Sequence, residues 1–162
     1  MNEVLTLSAL VGERLKAKKY TLTLAESCTG GGIACAITEI AGSSAWFERS
    51  FVTYSNQAKT QMLGVSEKAL QDHGAVSEEV AKQMAVGALK AARANFAISV
   101  SGIAGPDGGS EEKPVGTVCF AFASKEAVIA KTMLFKGDRF AVRKQSIVYA
   151  LQELLAFLAD DR

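Results

Sequence analysis

The sequence predicts an α/β protein: a three-layer α/β/α sandwich on a mixed sheet of about five strands. Three observations lead there. Helical periodicities alternate with short strand-like runs early in the chain. Late in the chain two strand-like runs, near 115–123 and 127–136, are joined only by Ser124-Lys125-Glu126, a link that makes an antiparallel hairpin. And a chain of 162 residues, 49% apolar and 22% charged, suits a single hydrophobic core. No repeat, linker or low-complexity stretch divides it, so one domain, residues 1–162, is expected.

The elements follow in order. Leu7, Val11 and Leu15 recur at helical spacing within residues 3–18. TLTLAES (21–27) alternates and reads as a strand. Gly30, Gly31 and Gly32 then open a helix, IACAITEI, that Gly42-Ser43-Ser44 breaks. FVTYS (51–55) is the next strand, with short helices over 56–63 and 66–72. Ser77 caps a longer helix whose Glu78 and Glu79 suit the positive end of its dipole. Its apolar face is Val80, Met84, Ala88 and Ala91. FAISVSG (96–102) is a strand, and a polar glycine-rich loop runs from 103 to 114. After the hairpin, Asp138 caps a last helix striped with Ile147, Leu151, Leu154 and Leu158.

Composition removes several function classes. The net charge is +1, from 18 basic and 17 acidic side chains, without a long single-sign run. That is no electrostatic footprint for nucleic acid or a membrane surface. No uncharged apolar run approaches the ~20 residues of a membrane span. Cys28, Cys35 and Cys119 form no C-x-x-C pair, and His73 is the sole histidine, so neither a metal site nor a disulfide framework is expected. The Met-Asn-Glu start lacks the features of a secretory signal, and a cytoplasmic protein without a bound cofactor is the expectation.

Polar chemistry collects in three places. In A-E-S-C-T-G-G-G (25–32) a strand runs through Ser27 into a glycine-led helix. That turn suits a nucleophile or an anion held by backbone N–H groups; equally, it suits a serine cap. In Y-S-N-Q-A-K (54–59), Lys59 lies one turn into a helix that begins at Asn56, where it points back over the strand end. A lysine of depressed pKa can replace histidine as the base for a serine, with Tyr54 relaying the proton or orienting the lysine. The alternative is a solvated lysine and a packed tyrosine. S-G-I-A-G-P-D-G-G (101–109) leaves a third strand end, and its glycines allow close approach to a ligand or simply make a flexible connection. Arg139 and Arg143 suit either a phosphate or surface ion pairs.

Together these motifs resemble the CinA C-terminal domain family, which includes bacterial nicotinamide-nucleotide amidohydrolases. The resemblance rests on A-E-S-C-T-G-G (25–31), A-G-S-S-A-W-F (41–47), V-T-Y-S-N-x-x-K (52–59) and G-A-V-S (74–77). It continues through S-G-I-A-G-P-D-G-G (101–109), K-P-V-G-T-V (113–118) and G-D-R (137–139), nearly the whole chain. It implies hydrolysis of the carboxamide of nicotinamide mononucleotide to nicotinate mononucleotide and ammonia, in pyridine-nucleotide recycling. It implies Ser27 as nucleophile, assisted by Lys59 and Tyr54, in a domain standing alone rather than behind a larger partner domain. Thr29, Gly30, Gly31, Gly102, Ala104, Gly105 and Arg139 are then the candidate substrate-binding residues, and no metal is required. A homodimer fits the family's habit, with Trp46-Phe47 either core or interface. The alternatives are a catalytically silent nucleotide-binding module, an interaction protein of the competence or DNA-damage kind, and an amidase for another carboxamide. Strand alternation sends Cys28 to the core and Glu26 away from Ser27, where its carboxylate can brace the loop through backbone N–H groups.

Overall fold

The computed structural model describes residues 2–160. Its elements are α1 (Glu3–Ala17), β1 (Leu22–Glu26), α2 (Gly32–Thr38), β2 (Phe47–Val52), α3 (Asn56–Leu63), α4 (Glu67–His73), α5 (Glu78–Ala92), β3 (Phe96–Gly102), β4 (Thr117–Ser124), β5 (Val128–Leu134) and α6 (Arg139–Ala159), with one 3₁₀ turn at Ser43–Ala45. The strands form one mixed sheet in the order β2-β1-β3-β4-β5. β1 runs parallel to both β2 and β3, and β4 runs antiparallel to β3 and β5. The predicted architecture is therefore the one observed.

The two faces of the sheet carry side chains of different size, and this decides how each helical layer packs. Leu22, Leu24, Phe96, Ile98, Phe120 and Phe122 fill one face against Val11 and Leu15 of α1, Ile33 and Ile37 of α2, and Leu151 and Leu154 of α6. Burying a leucine, isoleucine or phenylalanine contributes about 1.5–3 kcal/mol each, so this face dominates the hydrophobic stabilisation. The other face is built from Ala97, Cys119, Ala121 and Ala123, small enough for α5 to lie close on Ala81 and Ala85. Ser99 Oγ donates to the Ala81 carbonyl at 2.6 Å across that contact. α3 and α4 pack beside α5 in the same layer.

The caps read from sequence form as expected: Ser77 accepts from the Val80 amide and Asp138 from the Ala141 amide. The second strand differs. It spans Phe47–Val52 instead of 51–55, because its extent follows parallel pairing with β1, Leu22 to Phe47 through Glu26 to Val52. Glu48 and Arg49 are ion-paired on this edge strand, a charged edge that discourages further pairing. Trp46 just before it is core: it is buried, and a Cβ on Gly12 would lie 2.7 Å from its indole. The earlier strand end leaves Ser55 free to cap α3 by accepting from the Ala58 amide at 3.0 Å.

Three strand ends meet on one edge of the sheet. The chain leaves β1 at Ser27, β2 at Thr53 and β3 at Ile103. Since β2 and β3 flank β1 on opposite sides, the crevice above them is where open α/β sheets hold ligands. Among the described residues no helix is long and apolar enough to cross a membrane, and no group of three or more His, Cys, Asp and Glu is placed to hold a metal ion.

Candidate active site

Ser27 is the first residue beyond β1, and its amide still donates to the Val100 carbonyl of β3 at 3.0 Å. Its backbone is thus fixed by the sheet, while the next residues turn away. The turn is locked by Glu26. This carboxylate is fully buried and accepts from four donors: Thr29 Oγ1 at 2.6 Å, the Ile33 amide at 2.8 Å, the Ala34 amide at 3.0 Å and Ser50 Oγ at 3.3 Å. Two of these are otherwise unpaired N–H groups of the first turn of α2. Arg143 secures the other side, donating to the Cys28 carbonyl and the Thr29 carbonyl, each at 3.1 Å.

Lys59 comes to Ser27 from α3. It is only 1% exposed, yet makes no ion pair among the described residues. Its Nζ lies 3.0 Å from Ser27 Oγ, 2.9 Å from the Thr53 carbonyl and 3.3 Å from the Tyr54 carbonyl. Burial lowers its pKa from the ordinary lysine value, because the ammonium loses solvation; a Cys28 thiolate would pull the other way. The amine donates to the Thr53 and Tyr54 carbonyls and to Ser27 Oγ, and Ser27 Oγ in turn donates to the Tyr54 carbonyl at 3.5 Å. An ammonium places its three protons on these three acceptors. A neutral amine holds the two carbonyls and can turn its lone pair to the serine hydroxyl, and the pair can then deprotonate Ser27.

Ser27, Lys59 and Tyr54 all line one cleft of about 290 Å³, together with Gly102, Ala104, Gly105 and Arg139. A larger hollow of about 460 Å³ lies at the opposite edge of the sheet beside Phe96 and Ser124, where Ser124 Oγ accepts from the Glu126 and Ala127 amides at 3.3 and 3.2 Å. The structure redirects Tyr54. Its carbonyl, not its phenol, meets Lys59. The ring is 62% exposed and its oxygen accepts from Arg139 Nη2 at 3.2 Å, so the expected proton relay through the phenol has no hydrogen bond to travel along. Arg139 also donates to the Gly105 carbonyl at 2.9 Å, which fixes its guanidinium at the cleft.

Thr29, Gly30 and Gly31, expected as substrate contacts, lie outside the lining of this cleft. Thr29 is buried with its hydroxyl committed to Glu26, the Gly30 amide donates to the Ser27 carbonyl, and the amides that open α2 belong to Glu26. The glycine-led helix start therefore already holds an anion, supplied by the chain itself. Gly30 and Gly31 take positive φ, 57° and 97°, which lets the chain double back between β1 and α2. Cys28 reaches the cleft but is buried in the core cluster, and burial pushes its thiol up to about 11. A protonated thiol is a poor nucleophile. His73 is absent from the cleft lining, and its carbonyl accepts from Lys113 Nζ at 2.6 Å.

Two cleft residues lie within the quoted motifs but were not singled out from the sequence as part of the site. Ser101, 1% exposed, also lines the cleft; the pairing of Glu26 with Val100 sets it beside Ser27, a neighbourhood only strand register reveals. Asn56 lines it too, one residue beyond the cap of α3.

A buried serine–lysine pair at the carboxyl edge of a three-layer α/β sheet is a site of the kind that activates a serine as a nucleophile. Residues 4–158 match the CinA C-terminal domain, and the chain belongs to that family. It is 64% identical over 154 residues to the nicotinamide-nucleotide amidohydrolase PncC of Escherichia coli (strain K12), covering 94% of this chain and 93% of that one. It is 52% identical over 155 residues to the protein of the same name from Pseudomonas putida, covering 96% and 97%. Among solved structures, the competence/damage inducible protein CihA from Agrobacterium tumefaciens superposes with a TM-score of 0.95 at 45% identity, over 99% of this chain and 98% of that one. Such relatives make the chain an enzyme.

Proposed function

We propose that this enzyme hydrolyses the carboxamide of nicotinamide mononucleotide, with Ser27 as nucleophile and Lys59 as its base. The observation that carries the reading is the 3.0 Å contact between the serine hydroxyl and a buried lysine that has no ion pair among the described residues. The names of the full-length relatives support the substrate.

In the first half-reaction Lys59 Nζ accepts the proton of Ser27 Oγ as Oγ attacks the carboxamide carbon. The C–N bond then breaks, and the Lys59 ammonium returns the proton to the departing nitrogen, which leaves as ammonia. Water, deprotonated by the same amine, attacks the ester; as the acyl–Oγ bond breaks, the Lys59 ammonium returns the proton to Ser27 Oγ and nicotinate mononucleotide leaves. The developing oxyanion needs preorganised donors. Ala104 and Gly105 line the cleft and their amides donate to no acceptor among the described residues, so they suit this role; Gly102 also lines it, its lack of a side chain accommodating Val118 and the Thr117 carbonyl of β4. Arg139, fixed on the Gly105 carbonyl and without an ion-pair partner among the described residues, takes the phosphate. Tyr54 acts through its carbonyl on Lys59, and its phenol forms part of the phosphate side of the cleft. No metal or organic cofactor enters these steps.

The reading treats residues 1–162 as one catalytic domain. Its free thiols, Cys28, Cys35 and Cys119, suit the reducing cytoplasm. A homodimer is the proposed assembly, with exposed Phe140 and Leu134 available for its interface, since Trp46 belongs to the core. The test is ammonia and nicotinate mononucleotide release, in equal amounts, from nicotinamide mononucleotide by the purified protein. Binding without turnover would instead support the silent nucleotide-binding module.

A further inference from the structure

The cleft carries charge of both signs. Of the residues that line it, Asp107 is the one carboxylate and Arg139 the one guanidinium. Asp107 makes no ion pair among the described residues and is exposed to whatever occupies the cleft. It is also held in place. Its loop turns through Gly105 and Gly108 at φ 87° and 95°, and a Cβ on Gly105 would lie 2.4 Å from Val115. Further along, the Ser110 amide donates to the Lys113 carbonyl at 2.9 Å, and Lys113 Nζ ties the loop to the His73 carbonyl. That second contact joins it to the segment whose Ala75 and Val76 form another wall of the cleft.

A nicotinamide nucleotide likewise carries both signs. Its N-ribosylated ring is a pyridinium with a fixed positive charge, and its phosphate is an anion. The geometry points to Asp107 as a specificity-determining residue: it selects a cationic aromatic carboxamide over a neutral one of the same shape. Arg139 takes the anionic end, so the charges of cleft and substrate complement each other. This deepens the proposed function and rests on it.

The experiment compares two ligands by calorimetric titration of the catalytically blocked Ser27→Ala protein. One is nicotinamide mononucleotide; the other is its neutral isostere, in which a benzamide C-riboside 5′-phosphate replaces the pyridinium. Asp107→Asn is expected to weaken the cationic ligand about fivefold at low ionic strength, the size of a solvent-facing charge pair, and to change the neutral one by less than about twofold. Asp107→Glu restores the preference. Equal weakening of both ligands would make Asp107 a loop-shaping residue, and no change in either would remove it from recognition; each result overturns the inference. Ammonia release by the wild-type protein is measured separately. Its absence would overturn the amidohydrolase reading while leaving the charge preference to be decided by the titrations.

Discussion

Replacing Glu26 by glutamine tests whether the turn that presents Ser27 is held by a buried carboxylate. The amide keeps one oxygen in the place of Oε1, where it still accepts from Thr29 Oγ1 and the Ile33 amide. Its nitrogen replaces Oε2 and faces the Ala34 amide, now 3.0 Å from another donor. Ser50 can rotate its hydroxyl to accept instead. One buried N–H thus loses its acceptor, at about 1–3 kcal/mol, and two charge-assisted bonds become neutral, at about 0.5–1 kcal/mol together. The sum is about 1.5–4 kcal/mol, which lowers the melting temperature of a chain this size by about 3–16 °C. Urea denaturation with a constant slope reads the stability loss. Ammonia release reads the second consequence: a looser Ser27 lowers kcat more than it raises KM. An unchanged urea midpoint together with an unchanged kcat would refute the claim that this carboxylate organises the site.

Other outcomes follow from the same geometry. The kcat/KM profile rises with pH as Lys59 loses its proton, with its midpoint below the ordinary lysine value of 10.5, since burial opposes the ammonium. The same shift has a stability consequence: between the lowered pKa and 10.5 the unfolded lysine binds the proton that the folded one has released, so this group makes stability rise with pH across that window. A midpoint at or above 10.5 would contradict a desolvated base. Tyr54→Phe keeps the carbonyl that serves Lys59, so kcat stays within about threefold while KM rises as Arg139 loses a partner; steady-state kinetics that showed a kcat loss of about 10³-fold would restore the phenol to proton transfer. Iodoacetamide at neutral pH labels exposed Cys35 and spares buried Cys28, whose thiol is pushed to about 11, leaving turnover intact. Peptide mass mapping reads the sites, and Cys28 labelling matched by lost activity would count against Ser27.

Local chemistry made much of this legible in the sequence. FAISVSG gave β3 its bounds because both faces of a central strand are buried and glycine ends it. Asp138 and Ser77 marked helix starts because a side-chain oxygen satisfies amides that no helical carbonyl can reach. Lys59 could be aimed at the strand end because one helical turn fixes its direction from Asn56. Long-range geometry was not legible. The start of β2 depends on pairing with β1 across the sheet, and the FVTYS pattern shows only its last residues. Glu26 could be expected to brace the loop through backbone N–H groups, but only the fold shows that the amides it takes are those opening α2, which the glycine-led turn had seemed to offer to an outside anion. Tyr54 was assigned by its side chain, whereas the structure uses its carbonyl, a group every residue has and no motif displays. Ser101 joins Ser27 only through strand register.

The central claim is that Ser27, activated by neutral Lys59, forms an ester with the nicotinoyl group. Rapid quenching of a single turnover, followed by mass analysis of the intact protein and its peptides, tests it directly. The account predicts a transient adduct with the mass of the acyl nucleotide on Ser27, and in Ser27→Ala no adduct and an ammonia release rate reduced about 10³-fold or more. Ammonia release by Ser27→Ala at the wild-type rate, or an adduct on Cys28, would contradict it.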